Sequence, residues 1–174
     1  MKRSFFISLC IATLLLGCEY PINLDKGEEK LTLSVSSDTI VLNQREGSTQ
    51  AIEFVWTSGT NHGTGSAIAY ELQIDLQDSD SAFAEGIHWV LGKTASHTLS
   101  FSHTEWQDTL MHYFPALPLE AYTTLQARVI ATIVMTQEVQ VSPVITWVVM
   151  PYVERPQELY LVGNATPNGW DAQR

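Results

Sequence analysis

The sequence predicts an all-β fold: an antiparallel β-sandwich of the immunoglobulin or fibronectin type with one short helix. Period-two alternation of apolar and polar residues recurs in roughly six to eight segments over about 120 residues. The joins between these segments are rich in Gly, Asp and Ser, the turn chemistry of antiparallel strands. Hydrophobic residues make up 45% of the 174 and charged residues only 16%, enough apolar side chain for a core and too few charges for a disordered chain. A closed barrel is the other arrangement that this strand count allows.

Residues 1–17 have the pattern of a lipoprotein signal peptide placed ahead of that domain. Met1-Lys2-Arg3 is basic, Phe5 to Leu16 is an apolar run of about a dozen residues, and Leu15-Leu16-Gly17-Cys18 closes it as a lipobox. The run is too short to span a bilayer, which takes about 20 apolar residues. Small Gly17 suits a peptidase that cuts before an acylated cysteine, so Cys18 is the expected lipid attachment site and first mature residue. An ordinary signal with an incidental cysteine is the weaker reading, since it leaves the lipobox unexplained. Cys10 departs with the signal and Cys18 carries lipid, so the mature chain forms no internal disulfide although an exported compartment permits them. Packing alone must hold the fold.

Residues 18–30 are acidic and carry Pro21 and Gly27, a flexible tether composition. The sandwich is expected over 31–150. Leu31, Leu33 and Val35 alternate with polar residues, and Thr39 to Leu42 follows after Ser37-Asp38; together they suggest one broken edge strand. In Ala51 to Thr57, Ile52, either Phe54 or Val55, and Trp56 compete for the buried face. Ser58 to Ser66 is a glycine-rich loop, and Ala67 to Leu76 is the cleanest strand, with Ile68, Tyr70, Leu72, Ile74 and Leu76 on one face. Ile87 to Leu91 and Ser96 to Phe101 are two further strands. In Ser102 to Met111, Thr104 with Gln107 three residues later marks a helix start, and Trp106, Leu110 and Met111 share a face. Tyr122 to Val134 and Val139 to Met150 are two long closing strands. Residues 151–157, bracketed by Pro151 and Pro156, are a linker. Residues 158–174 are too few for a core of their own and are the truncated start of a second β-domain.

Charge and motif spacing exclude several functions. The formal charge is -10, and loss of Lys2 and Arg3 takes it to -12, a field that repels phosphate backbones; nucleic acid is not an expected partner. His62, His88, His97, His103 and His112 are scattered, with no HExxH pair and no GxSxG elbow. His97 and His103 near Glu105 are expected to be exposed strand or cap residues rather than zinc ligands. Asp75, Asp78 and Asp80 lack the glycine and distal glutamate of a calcium loop and are expected to form a solvated acidic loop. No carboxylate pair suits glycoside hydrolysis, so no catalytic residue, cofactor or metal is assigned and the chain is not expected to be an enzyme. Trp56, Trp106 and Trp147 belong to apolar faces, and Trp89 leans the same way. Trp170, after Asn168-Gly169, is the one tryptophan whose surroundings favour exposure and hence stacking on a sugar ring.

Taken in order, the lipobox, AIEFVWTS, AIAYELQID, the aromatic helix, YTTLQARVIA, VSPVITWVVMPY and LYLVGNATPNGWD resemble the SusE and SusF outer-membrane lipoproteins. The resemblance covers residues 18–171, and Leu159 to Asp171 is its most specific piece. It implies an immunoglobulin-like spacer domain that holds carbohydrate-binding modules for a starch-like glycan away from the cell surface. It further implies a neighbouring TonB-dependent importer and its partner lipoprotein. Onto this chain it carries Cys18 as the lipid site and Trp170 as a carbohydrate contact. The alternative function is a structural or adhesive surface lipoprotein that contacts proteins and binds no sugar.

Overall fold

The structure is a computed structural model that describes residues 29–156. Among these residues nine strands and one α-helix follow in the order β1 (Leu33–Val35), β2 (Thr39–Val41), β3 (Gln50–Trp56), β4 (Ile68–Leu76), β5 (Ile87–Gly92), β6 (Thr98–Ser102), α1 (His103–Tyr113), β7 (Thr123–Ile133), β8 (Val139–Val141) and β9 (Ile145–Met150). They form two sheets, β1-β3-β6 and β2-β9-β7-β4-β5, with β8 pairing on β7. Two sheets with their apolar faces together make the expected sandwich.

Alternation decides which faces meet. β4 and β7 run antiparallel without slippage from Ile68 opposite Ile133 to Leu76 opposite Leu125. This places Leu72 and Ile74 of β4 beside Val129 and Ala127 of β7, all fully buried. On β3 the competition is settled in favour of Ile52, Phe54 and Trp56, while Val55 is exposed. Phe54 is the keystone of the aromatic core. Its ring meets Trp106 of α1 at 5.8 Å, Trp147 of β9 at 5.4 Å and Phe101 of β6 at 6.5 Å, all edge-on. Such edge-to-face pairs add about 0.5–1.5 kcal/mol each beyond area burial, and here they join both sheets to the helix.

Three expectations are corrected by this arrangement. The first strand is not one broken edge strand: β1 pairs antiparallel with β3, whereas β2 pairs parallel with β9 in the other sheet. Ser36 to Asp38 therefore carries the chain across the sandwich, with the Asp38 carbonyl accepting from Val148 N at 2.9 Å. The last strand is not continuous either. Pro143 cannot donate to the ladder, and the Val139–Met150 stretch splits into β8 and β9 around Ser142 to Val144. Ser142 bridges the gap, its Oγ accepting from Val129 N at 2.9 Å.

The helix cap lies two residues before the expected one. Ser102 is extended, its hydroxyl accepts from Glu105 N, and the Glu105 carboxylate accepts from Ser102 N at 2.8 Å. Both halves of a capping box are thus supplied by Ser102 and Glu105. Thr104 stands inside the first turn and is exposed. Gln107, the other half of the expected box, is buried against the chain that follows β9.

Candidate functional site

At both ends of the sandwich, where the chain enters and leaves, long-range hydrogen bonds hold the segment that passes there. β3 orients them. Leu33 of β1 lies opposite Trp56, so the chain enters beside the C-terminal end of β3. Gln50 lies opposite Ser102, and the residues after Met150 attach near Gln44 and α1, so it leaves beside the N-terminal end. Seven strand residues at about 3.3 Å each put entry and exit roughly 20 Å apart.

At the entry, Ser58 N and Oγ donate to the Glu29 carboxylate at 3.3 and 2.7 Å, and Thr57 Oγ1 donates to Lys30 O at 2.6 Å. Tyr70 Oη donates to Ser58 O at 2.7 Å, and its ring is enclosed by Trp56 and His97 at 6.1 and 5.3 Å. Burial first, and the Glu29 charge second, push the Tyr70 phenol up to about 12.

At the exit, Pro151 to Arg155 is held against the domain. Gln107 Oε1 accepts from Tyr152 N at 3.1 Å and its Nε2 donates to Tyr152 O at 2.9 Å. Gln44 repeats the pattern on Arg155, at 3.0 and 2.9 Å. Glu120 N donates to Pro151 O at 2.8 Å, and the Glu120 carboxylate receives the Arg155 guanidinium at 2.9 Å.

Several side chains singled out by chemistry occupy structural positions. His103 is buried, not exposed: its Nδ1 accepts from Asn43 N at 3.2 Å. His97 is half-buried, with Nε2 3.2 Å from Tyr70 Oη. Asp75 is buried too, contrary to the solvated loop expected of it. Its carboxylate accepts from Leu76 N, Ser81 Oγ and Phe83 N at 2.8, 2.8 and 3.1 Å, folding residues 77–86 back onto the sheet. Asp78 and Asp80 are exposed as expected. That loop lays Phe83 under the Arg128 guanidinium, 4.4 Å from ring centre to Cζ, and places its carbonyl 2.7 Å from His88 Nε2. On the same face His88 Nδ1 is 2.7 Å from Glu71 Oε1. The Gln73 amide, followed by His88, holds the Glu71 carboxyl below the usual range against the opposing effect of burial. These groups satisfy one another on a sheet face.

Trp56, Trp106 and Trp147 are core residues, as their faces predict, and Trp89 is half-buried with its ring 4.8 Å from Phe101. Among the described residues no cluster of three or more His, Cys, Asp or Glu side chains is placed to hold a metal ion. No helix among them is long and apolar enough to cross a membrane. Cys18 and Trp170 lie outside the described residues. The two glutamines at the exit were not legible beforehand, since neither a 45-residue nor a 111-residue separation leaves a local pattern.

A family model described as SusE outer membrane protein matches residues 19–130, well over half of the chain. The chain belongs to the SusE family. The SusE match begins directly after Cys18 and runs into β7, so it covers the entry end, the β1-β3-β6 sheet, α1 and the second sheet up to β7, leaving β8 and β9 outside it. Membership makes this an outer-membrane protein of a Sus-type glycan-utilisation system. No curated protein and no solved structure matches the chain.

Proposed function

We propose that this SusE-family chain is a non-catalytic, lipid-anchored spacer of a polysaccharide-binding and uptake system. Residues 1–17 are its signal peptide, 18–30 its tether from acylated Cys18, 31–150 the spacer domain and 151–157 the linker. Residues 158–174 open a carbohydrate-binding module, in which Trp170 offers an aromatic face to a starch-like glucan. The observation that carries this reading is the placement of entry and exit at opposite ends of one rigid sandwich. A domain whose termini met at one end would bring its cargo back to the membrane; this one adds its own length to the reach. The surface-exposed setting, beside a TonB-dependent importer and its partner lipoprotein, follows the family resemblance.

One experiment reads both ends. Replacing Cys18 with Ser moves the protein from the membrane fraction to the soluble one, because lipid is its only proposed attachment. In a Cys18→Ser chain extended through the whole downstream module, glucan binding persists and Trp170→Ala weakens it by about 1–3 kcal/mol, by analogy with bases stacked on aromatic side chains. Retention in membranes refutes the anchor. Absence of glucan binding by the extended chain favours an adhesive lipoprotein.

A further inference from the structure

The two glutamines at the exit form an arrangement that the packing of the sandwich does not itself require. Each primary amide presents one acceptor and two donors, and each fills both backbone groups of a single linker residue. Gln107 takes Tyr152 N and O, and Gln44 takes Arg155 N and O. This is the exchange that a neighbouring strand supplies at one rung of an antiparallel ladder. The two amides come from separate elements, α1 and the short turn Gln44–Glu46, and grip the linker at two points. A third element, the loop before β7, adds Glu120, which bonds Pro151 through its backbone and Arg155 through its carboxylate. Gln107 is only 2% exposed, and a buried amide needs its partners filled; Tyr152 fills them.

We infer that Gln44 and Gln107 are a two-point clamp that fixes Pro151–Arg155 as part of the sandwich, so that the chain reaches Pro156 in one set direction. Pro156 strengthens this, since it restricts Arg155 to extended backbone and locks its own φ. In this role the glutamines are positioning residues: they set orientation and touch no ligand. The inference rests on hydrogen bonds within the described residues and not on the glycan reading, so a chain that binds no glucan leaves it intact.

Residue-resolved amide hydrogen exchange on the full chain tests it. Tyr152 and Arg155 exchange about 100-fold or more slower than an open chain, as amides inside cooperative structure do. Gln44→Ala accelerates exchange at Arg155 by about 10-fold or more and leaves Tyr152 protected; Gln107→Met, which keeps the side-chain volume, does the reverse. A glutamate-specific protease cuts after Glu154 about 10-fold faster in Gln44→Ala than in the unsubstituted chain, while the thermal transition of the sandwich is retained. Open-chain exchange at Arg155 in the unsubstituted protein overturns the clamp. So does a Gln44→Ala variant with unchanged exchange and cutting. If Gln107→Met fails to fold, the Gln44→Ala result decides alone.

Discussion

Tyr70 shows how much one side chain can report. Its phenol lies among Trp56, His97 and the Ser58 carbonyl, and burial followed by Glu29 raises its pKa from 10.0 to about 12. The folded state therefore favours the protonated phenol. The stabilisation is complete below pH 10 and is lost as pH rises from 10.0 to about 12. Denaturant unfolding across that window should show a fall in stability that is absent in Tyr70→Phe; an equal fall in both proteins removes Tyr70 as its source. In the sequence Tyr70 is visible only as an apolar face residue of β4. Its partners come from loops 12 and 27 residues away, which no local pattern encodes. The same holds for His103, whereas Asp75 is buried by partners within eight residues of it, Leu76, Ser81 and Phe83. A polar residue in a turn-rich stretch looks solvated, and its burial is decided by distant backbone groups that satisfy it, such as Asn43 N, 60 residues from His103. The tryptophans were legible because apolar bulk on a regular face has one outcome.

The start of α1 shows where local pattern runs out within a single element. Two overlapping sequences satisfy the capping pattern, Ser102 with Glu105 and Thr104 with Gln107. The tie is broken by tertiary structure: Gln107 is taken inward by Tyr152, and Ser102 holds the extended backbone of a cap at the end of β6. Ser102→Ala should cost about 0.5–2 kcal/mol in chemical denaturation, and Thr104→Ala less than about 0.5 kcal/mol. The reverse order of effects would restore Thr104 as the cap. Glu105 contributes with the same logic, since its bonds to Ser102, through backbone and then hydroxyl, keep its carboxyl below the ordinary range. Strand existence was readable from period two, because one buried face imposes it. The break at Ser37-Asp38 was visible but not its consequence, and the one at Pro143 was masked by the apolar alternation on either side of it. Whether a chain resumes in the same sheet or the opposite one depends on which edge is vacant, and alternation carries no information about that.

For the whole molecule, the sandwich class and the family were both recoverable from sequence, while the direction of the termini was not. The class follows from strand count and turn chemistry, and the family from motifs spread along residues 18–171, of which 19–130 are matched by the SusE model. Neither tells at which end of the sandwich the chain arrives or departs. That depends on β1 pairing beside Trp56 and on the grip of α1 and the Gln44 turn on the exit.

The parallel contact between β2 and β9 acquires a mechanical meaning from this geometry. Tension applied between the two ends draws β2 one way and β9 the other along their common axis. Thr39 opposite Val148, Ile40 opposite Val149 and Val41 opposite Met150 are then loaded in shear together, not unzipped one by one. Single-molecule pulling from the termini should give one sharp rupture, at higher force than pulling across the edge of β5. Equal forces in both directions would deny the parallel pair this role. A protein strung between a surface and a polymer would hold by such a seam.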